Sequence, residues 1–401
     1  MPQPYELTAA EVSEKIRNRE LSAEEYLSSI IERIERTDGK IHAYITVVKG
    51  EALKKAREID RKLRKGEKLS SLAGVAVAVK DNICTEGIRT TCASHMLENF
   101  VPPYDATVIE RLKAADLIII GKTNMDEFAM GTTTETSYFG ATRNPWNIRK
   151  VPGGSSGGSA AAVIAEEAVV ALGSDTGGSI RCPASYCSTV GLKPTYGLVS
   201  RYGLISYANS LEQIGPLTRT VRDCALLLSV ISGHDDRDST SVSLPLKDYL
   251  SYLKDDVEGL KIGLPREFFE EGVEEKVKDP VLEAADKLEE LGASRHELSL
   301  STMSYALAAY YIIAMSEASS NLARYDGLRY GYRDENDEGD FDTVFSRNRR
   351  TGFGAEVRRR IILGTYVLSA GYFDQYYMKA LKIRTLIRRD FEKAFKHVDV
   401  I

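Results

Sequence analysis

Two clusters of glycine and serine contain the residues of this sequence that are best suited to chemistry. The first cluster is Val151-Pro-Gly-Gly-Ser-Ser-Gly-Gly-Ser159, and the second is Gly173-Ser-Asp-Thr-Gly-Gly-Ser-Ile-Arg181. Ser155 of the first cluster precedes Ser179 of the second by 24 positions. A serine hydroxyl is a weak nucleophile unless a base removes its proton, so serine catalysis at either place requires a nearby base.

Lys80 is the candidate base. It ends the apolar run Val75–Val79, where burial would favour the neutral amine of lysine over the ammonium. Ser179 would then be the nucleophile, and Ser155 would pass the proton of Ser179 to Lys80. This mechanism requires neither a metal nor a catalytic histidine. Small residues just before Ser179 allow consecutive backbone N–H groups to converge into an oxyanion hole. The predicted donors are Thr176, Gly177 and Gly178.

Three other interpretations of these clusters stay open on the residues alone. Glycine-serine clusters are often flexible loops, although these two flank an alanine-rich helix and an apolar strand. A phosphate-binding loop is the second interpretation, because glycine loops before helix N-termini bind anions, although neither cluster contains a phosphate-loop motif. Outside the clusters, Gly121-Lys122-Thr123 resembles the end of such a loop. Asp116 stands where that motif needs its upstream glycine.

A nucleophile elbow with a histidine base is a third interpretation. Gly153-Gly-Ser-Ser-Gly157 matches the pattern G-x-S-x-G, but Pro152 disfavours the strand that must precede an elbow. None of the histidines stands in a distinctive sequence setting. They are His42, His95, His234, His296 and His397.

Alternating strands and helices must position these residues. Short apolar runs at 75–79, 117–120 and 168–172 predict buried strands, with helices at 106–115 and 159–167 between them. This alternation predicts an α/β fold with a sheet covered by helices on both faces. Later helices are predicted at 221–232, 280–291, 304–325 and 355–395, with a strand at 261–264.

Residues 1–66 are predicted to form a helical N-terminal part. Thr8-Ala-Ala-Glu11 and Ser22-Ala-Glu-Glu25 are capping boxes, each followed by apolar positions at helical spacing. One stripe of the second helix consists of Tyr26, Ile30, Ile31 and Ile34. Residues 67–401 would form the catalytic α/β core, so that residues 1–401 make one domain.

The composition predicts a soluble, cytoplasmic, globular protein. Hydrophobic residues make up 43% of the 401 residues and charged residues 28%, with a formal net charge of −5. Such a chain is not expected to bind a phosphate backbone by itself. Five cysteines without a C-x-x-C pair argue against a disulfide framework and a structural zinc site. We find no signal peptide and no apolar run long enough for a membrane span.

Three segments together resemble the amidase signature family. They are Gly74-Val-Ala-Val-Ala-Val-Lys-Asp81, Pro152-Gly-Gly-Ser-Ser-Gly-Gly-Ser159 and Asp175-Thr-Gly-Gly-Ser-Ile-Arg-Cys-Pro183. The resemblance implies the amidase-signature fold, a large mixed central sheet covered by helices on both faces. It also implies amide cleavage by a Ser–cis-Ser–Lys triad. These roles would fall on Ser179, Ser155 and Lys80, with a cis peptide bond before Ser155.

Further segments narrow the resemblance to the glutaminase components of glutamine-dependent tRNA amidotransferases. They are Val199–Pro216, Gly233–Thr240 and Ser316–Gly331. This resemblance implies a glutaminase that passes ammonia to a B subunit, which uses ATP and Mg²⁺ to activate mischarged Glu-tRNA(Gln) and/or Asp-tRNA(Asn). A small C subunit would complete the complex, and the tRNA would be bound mainly by the B subunit. Tyr310 and Arg359 would hold glutamine, since the arginine fork suits a carboxylate.

The resemblance also raises a question about the end of the chain. Family members continue beyond a segment like His397–Ile401, so the resemblance implies that the core is truncated at its C-terminus. A stand-alone amidase acting on other amides is an alternative with the same chemistry. An inactive docking protein is an alternative of another class, and the set of Lys80, Ser155 and Ser179 argues against it.

Overall fold

The computed structural model describes residues 2–245, 247–270, 272–335 and 338–401. The chain divides into two compact units. The first contains residues 1–250 and 321–361, and the second contains residues 251–320 and 362–401. The single domain over residues 1–401 stays a prediction.

A six-stranded mixed sheet forms the centre of the first unit. Its strands are β1 (Tyr44–Val47), β2 (Ala76–Lys80), β3 (Ile118–Thr123), β4 (Val170–Asp175), β5 (Val190–Gly191) and β6 (Gln213–Thr218). The spatial order is β1-β3-β2-β4-β6-β5. The pairs β2–β3 and β2–β4 are parallel, and the other pairs are antiparallel. The prediction of an α/β fold with a mixed central sheet is therefore confirmed.

Twelve α-helices lie within the described residues. They are α1 (Ala9–Arg17), α2 (Ala23–Ile41), α3 (Lys49–Arg64), α4 (Thr107–Ala114), α5 (Gly157–Ile164), α6 (Arg181–Cys187), α7 (Val221–Ile231), α8 (Glu275–Glu290), α9 (Ala306–Asn321), α10 (Phe341–Gly352), α11 (Ala355–Leu368) and α12 (Lys379–Ala394). Both predicted capping boxes form, at Thr8 and at Ser22. No helix of the described chain is long and apolar enough to cross a membrane.

The core of the first unit is built on the central strands. Every residue of β2, β3, β4 and β6 is buried. The predicted stripe of α2 is buried as well, and it consists of Tyr26, Ile30, Ile31 and Ile34. Helix α5 packs against β2 and β4 with small residues, seven of which are buried. The first glycine-serine cluster leads into α5, and the second follows from the end of β4. The packing of α5 on the sheet therefore brings the two clusters together, at the end of the sheet where β4 ends.

The second unit contains a parallel pair, β7 (Lys261–Pro265) and β8 (Ser294–Leu298). The predicted strand at 261–264 is confirmed, whereas β8 is not among the predicted elements. The prediction of one helix over 355–395 is wrong, because α11 ends at Leu368 and α12 begins at Lys379. Gly371 lies between them at φ +86°, which a helix does not allow.

Candidate active site

Lys80 is the last residue of β2, and its side chain is fully buried. Its Nζ lies 2.7 Å from the Oγ of Ser155. The Oγ and the carbonyl oxygen of Ser174 lie 3.0 Å and 3.2 Å from the same nitrogen. All three neighbours are neutral oxygen atoms, so the lysine is held by hydrogen bonds and not by an ion pair with any of them.

This environment changes the acidity of the lysine. Burial lowers the pKa of Lys80 to about 7, against the opposing attraction of the Asp126 and Asp175 carboxylates. The amine is disfavoured as a charged group because the protein interior solvates an ammonium poorly. Near neutral pH a large fraction of Lys80 therefore carries an electron pair, which is the requirement for a general base.

Ser155 stands two residues before α5, and the peptide bond from Gly154 to Ser155 is cis. This confirms the cis bond that the family resemblance implies. The Asp126 carboxylate crowds Gly154, because a Cβ there would lie 2.1 Å from the aspartate Oδ2. Asp126 is itself fixed, since it accepts the backbone N–H groups of Thr133 and Thr134 at 3.2 Å and 2.9 Å. Only glycine fits at the position before Ser155.

Ser179 lies in the turn between β4 and α6 and is 9% exposed. Its carbonyl oxygen accepts the N–H of Ser156 at 3.0 Å, which ties this turn to the segment that carries Ser155. Its Oγ has no hydrogen-bond partner in the part of the chain that the structure describes, so the two serine hydroxyls are not bonded to each other. Lys80 and Ser155 are thus in direct contact, and proton transfer from Ser179 stays a prediction.

Asp175, the last residue of β4, holds the turn around Ser179. Its carboxylate accepts the backbone N–H groups of Gly178 and Ile180 at 2.8 Å and 3.0 Å. The Nε and Nη2 of Arg181 bind the same carboxylate at 3.0 Å and 2.9 Å. Burial acts to raise the pKa of Asp175, but the hydrogen bonds and charge of Arg181 lower it below its usual value. The ionised aspartate therefore fixes the backbone on both sides of the serine.

The predicted oxyanion donors differ in their partners. The N–H of Gly178 is already paired with Asp175. The N–H groups of Thr176 and Gly177 have no acceptor among the described residues. Of the three predicted donors, these two are thus unpaired by the protein, and their role with substrate stays a prediction.

The predicted glutamine-binding residues belong to different units, Arg359 to the first and Tyr310 to the second. Arg359 lies on α11 with a side chain that is 67% exposed, and its Nη1 pairs with Glu356 at 2.8 Å. The neighbouring Arg360 is buried and donates to Glu356 and to the hydroxyl of Tyr207, each at 2.8 Å. Glu356 thus binds both arginines. Substrate binding by Arg359 and Tyr310 stays a prediction.

The phosphate-loop interpretation of Gly121-Lys122-Thr123 is wrong. These residues lie inside β3, and the side chain of Lys122 is fully buried. Its Nζ donates to the carbonyl oxygen of Ile83 at 2.8 Å and to Thr90 Oγ1 at 2.6 Å, and lies 3.5 Å from Asp81 Oδ1. A lysine enclosed in this way cannot bind a phosphate.

The nucleophile-elbow interpretation fails as well. No strand precedes Ser155, because residues 150–154 have no regular secondary structure. Within the described ranges, no histidine ring is hydrogen-bonded to Ser155 or Ser179. Across these same ranges, no group of three or more His, Cys, Asp or Glu residues is placed to hold a metal ion.

Three polar residues of this site were not singled out from the sequence. Ser174 contacts Lys80, and Asn82 donates from its Nδ2 to Ser174 Oγ at 2.9 Å. Asp126 shapes the segment around Ser155, with its own N–H donating to the Ser155 carbonyl oxygen at 3.3 Å. Asn82 stands two residues after Lys80, and Ser174 stands two residues before Thr176. This closeness to predicted site residues is the signal that could have drawn attention to them.

Comparison with known proteins agrees with this geometry. The family model described as Amidase matches residues 25–401. The A subunit of the glutamyl-tRNA(Gln) amidotransferase from Carboxydothermus hydrogenoformans is 60% identical over 99% of this chain and 82% of that protein. The protein of the same name from Moorella thermoacetica is 59% identical over 99% of this chain and 81% of its own length.

Solved structures give the same result at the level of the fold. The A subunit of the glutamyl-tRNA(Gln) amidotransferase from Thermotoga maritima matches with a TM-score of 0.76 and 42% identity, over 98% of this chain and 78% of that one. The peptide amidase of Stenotrophomonas maltophilia matches with a TM-score of 0.80 and 32% identity, over 94% and 79%. An amidotransferase subunit and a peptide amidase therefore share this fold.

Proposed function

This chain belongs to the amidase family, and on that premise we propose that it is the glutaminase subunit of a tRNA-dependent amidotransferase. It would hydrolyse the side-chain amide of glutamine and supply ammonia for the transamidation of Glu-tRNA(Gln), Asp-tRNA(Asn) or both. One observation carries the proposal for amide cleavage, namely the buried Lys80 amine in contact with Ser155 Oγ. The 60% and 59% identity to two glutamyl-tRNA(Gln) amidotransferase A subunits supports glutamine as the amide.

The first half of the proposed reaction forms an acyl-enzyme. Ser179 Oγ attacks the side-chain carbonyl carbon of glutamine while its proton passes to Ser155, whose own proton passes to the Lys80 amine. The carbonyl oxygen becomes an oxyanion that the N–H groups of Thr176 and Gly177 would stabilise. The carbon–nitrogen bond then breaks, and the proton held by Lys80 returns through Ser155 to the leaving nitrogen. Ammonia departs, and a γ-glutamyl ester of Ser179 remains.

The second half releases glutamate. A water molecule attacks the ester carbonyl, and its proton follows the same route to Lys80. The bond from the acyl carbon to Ser179 Oγ breaks, and the serine regains its proton. The low pKa of Lys80, about 7, suits both halves, because the amine must take a proton and give it back at each step.

Binding of glutamine and of partners completes the proposal. Arg359 and Tyr310 would hold the amino-acid end of glutamine, with the arginine on its carboxylate. The names of the relatives support a complex of several subunits. A B subunit would use ATP and Mg²⁺, bind most of the mischarged tRNA and receive the ammonia, and a C subunit would stabilise the assembly. We propose no cofactor for this chain itself and a cytoplasmic location.

Ammonia release tests the function. We expect glutamine hydrolysis by the chain assembled with B and C partners, and we expect Ser179→Ala to lower its rate on the order of 10⁴–10⁶. Mass spectrometry of the quenched reaction should find the γ-glutamyl adduct on the peptide that contains Ser179. Rapid cleavage of diverse amides without partners would favour a stand-alone amidase instead. Full activity of Ser179→Ala would contradict the proposed nucleophile.

A further inference from the structure

Lys80 has polar neighbours beyond the predicted triad. The Oγ and the carbonyl oxygen of Ser174 lie 3.0 Å and 3.2 Å from its Nζ. The amide of Asn82 donates to the same Ser174 Oγ at 2.9 Å. All three side chains are buried, with Ser174 3% exposed and Asn82 2% exposed. Buried polar groups are kept where their hydrogen bonds are made, so this cluster restricts how the amine can be oriented.

The hydrogen-bonding capacities of these groups allow an orientation that suits a base. A neutral lysine amine has two hydrogens and one electron pair. The Ser174 carbonyl oxygen can only accept, so it takes one hydrogen. The Ser174 hydroxyl accepts from Asn82 and, when its own hydrogen points away from Lys80, its second electron pair accepts the other hydrogen of the amine. The electron pair of the amine is then left for the third and nearest neighbour, Ser155 Oγ at 2.7 Å.

We propose that Ser174 and Asn82 are positioning residues that direct the electron pair of Lys80 towards Ser155. This inference rests on the proposed function, because it assigns Lys80 the role of base. The same contacts serve the protonated state. An ammonium has three N–H groups, and Ser155 Oγ, Ser174 Oγ and the Ser174 carbonyl oxygen supply three acceptors for them. The Ser174 hydroxyl therefore stabilises the charge that forms on Lys80 during the reaction.

Other charged groups also act on Lys80 and set the background for a test. The carboxylates of Asp126, Asp175 and Glu212 favour the charged amine, against the effect of burial. Burial raises the pKa of the nearby Cys92, which keeps its thiol neutral. A substitution at Ser174 changes none of these groups. A change in the pH dependence of the Ser174 variant therefore reports the loss of its hydroxyl.

The pH profile of glutamine hydrolysis by the assembled complex tests the inference. In the wild type, we expect the acid limb of kcat/KM near pH 7, where Lys80 loses its proton. In Ser174→Ala the ammonium of Lys80 loses one acceptor, which lowers the pKa of the lysine. The acid limb should therefore move to lower pH by roughly one unit, and kcat should fall by about tenfold or more. Ser174→Thr keeps the hydroxyl and should restore the limb. Asn82→Ala should move it in the same direction by less.

Ser159→Ala is the matched control. Ser159 is equally buried on α5, and its Oγ bonds the Leu172 carbonyl oxygen at 3.0 Å and Thr123 Oγ1 at 2.7 Å without touching Lys80. We expect this variant to keep the wild-type limb. An unmoved limb in Ser174→Ala, or an equal shift in Ser159→Ala, overturns the inference.

Different results would contradict the proposed function. It is overturned if the wild-type complex hydrolyses no glutamine, or if Ser179→Ala keeps full activity. An active wild type and an inactive Ser179→Ala, together with a Ser174→Ala variant of unchanged pH profile, would overturn only the positioning role. Thermal melts of all variants show whether each is folded in the assay.

Discussion

Two lysines are buried in neighbouring strands of the central sheet, and their surroundings differ in one respect. Lys80 in β2 has only neutral oxygen atoms as hydrogen-bond partners. Lys122 in β3 has two neutral oxygen partners and, in addition, the carboxylate of Asp81 at 3.5 Å. Lys122 pairs with Val79 in the sheet register, so the side chains of the two lysines point to opposite faces.

Burial lowers the pKa of both lysines, because a low-dielectric interior disfavours an ammonium. The two lysines therefore differ in whether a carboxylate lies beside the amine. Asp81 opposes the effect of burial on Lys122 at close range, whereas Asp126 and Asp175 act on Lys80 without a hydrogen bond to its amine. We infer that burial leaves Lys80 available as a base because no carboxylate is bound to its amine. Lys122, beside the Asp81 carboxylate, stabilises the fold instead.

Removal of Lys80 should have the largest effect of all, and mainly on activity. Lys80→Met deletes the general base, so we expect glutamine hydrolysis by the assembled complex to fall on the order of 10⁴–10⁶. The free energy of unfolding should change far less, because no buried carboxylate loses its ion-pair partner. Steady-state kinetics and urea unfolding of the same preparation measure the two quantities. A variant that is inactive because it is unfolded would remove this contrast.

Removal of Lys122 should affect stability. Lys122→Met leaves Asp81 buried without its cation, so the free energy of unfolding should fall by about 3–5 kcal/mol. Urea unfolding measures this loss. The double variant Lys122→Met/Asp81→Asn should recover part of it, since no unpaired charge then remains. If Lys122→Met proved as stable as the wild type, Asp81 would not be a charged partner and the comparison would fail.

Glu167 extends the comparison to a buried acid. Its carboxyl accepts the Thr37 hydroxyl at 2.6 Å, and burial raises its pKa to about 9. The folded protein therefore keeps a proton that the unfolded chain releases above about pH 4.5. The contribution of this group to stability is complete below that pH and is lost as the pH rises towards 9. Glu167→Gln should flatten the decrease in the free energy of unfolding between about pH 5 and pH 9, measured with urea.

The smallest predicted effect compares one hydroxyl at each lysine. Thr90→Val removes a neutral partner of Lys122, so it should lower the free energy of unfolding by about 1 kcal/mol and leave the pH profile of hydrolysis unchanged. Ser174→Ala, at Lys80, should instead move that profile. Urea unfolding and the kcat/KM profile of Thr90→Val measure the two quantities. A shifted acid limb in Thr90→Val would mean that the two lysines are coupled.

The sequence motifs pointed to candidate site residues, but they carried no information on the contacts among them. The motifs identified Lys80, Ser155 and Ser179 because each stands at a strand end or in a glycine turn. The cis bond before Ser155 followed only from the family resemblance, since no local pattern encodes it. Ser174 and Asn82 were not predicted as site residues, because their contacts join β4 to the residues at and just after the end of β2, which are distant in sequence.

The fold was predictable where local patterns are strong. The stripe of α2 and its capping box were predicted, because helical periodicity and caps are local signals. Strand β6 was not among the predicted elements, and it pairs with β4 although it contains Gly215 and Pro216, two residues that are uncommon in central strands. The break between α11 and α12 at Gly371 was also overlooked, because a single glycine inside a helical pattern is usually tolerated.

The close fit of α5 on the sheet has a consequence for protein engineering. A Cβ at Gly158 would lie 2.4 Å and 2.5 Å from the carbonyl oxygens of Asn124 and Ala43, and one at Gly157 would lie 2.2 Å from the Thr134 hydroxyl. A library that randomises these positions should yield almost no folded members. Attempts to change the amides that this scaffold accepts must therefore leave both glycines at the start of α5 unchanged.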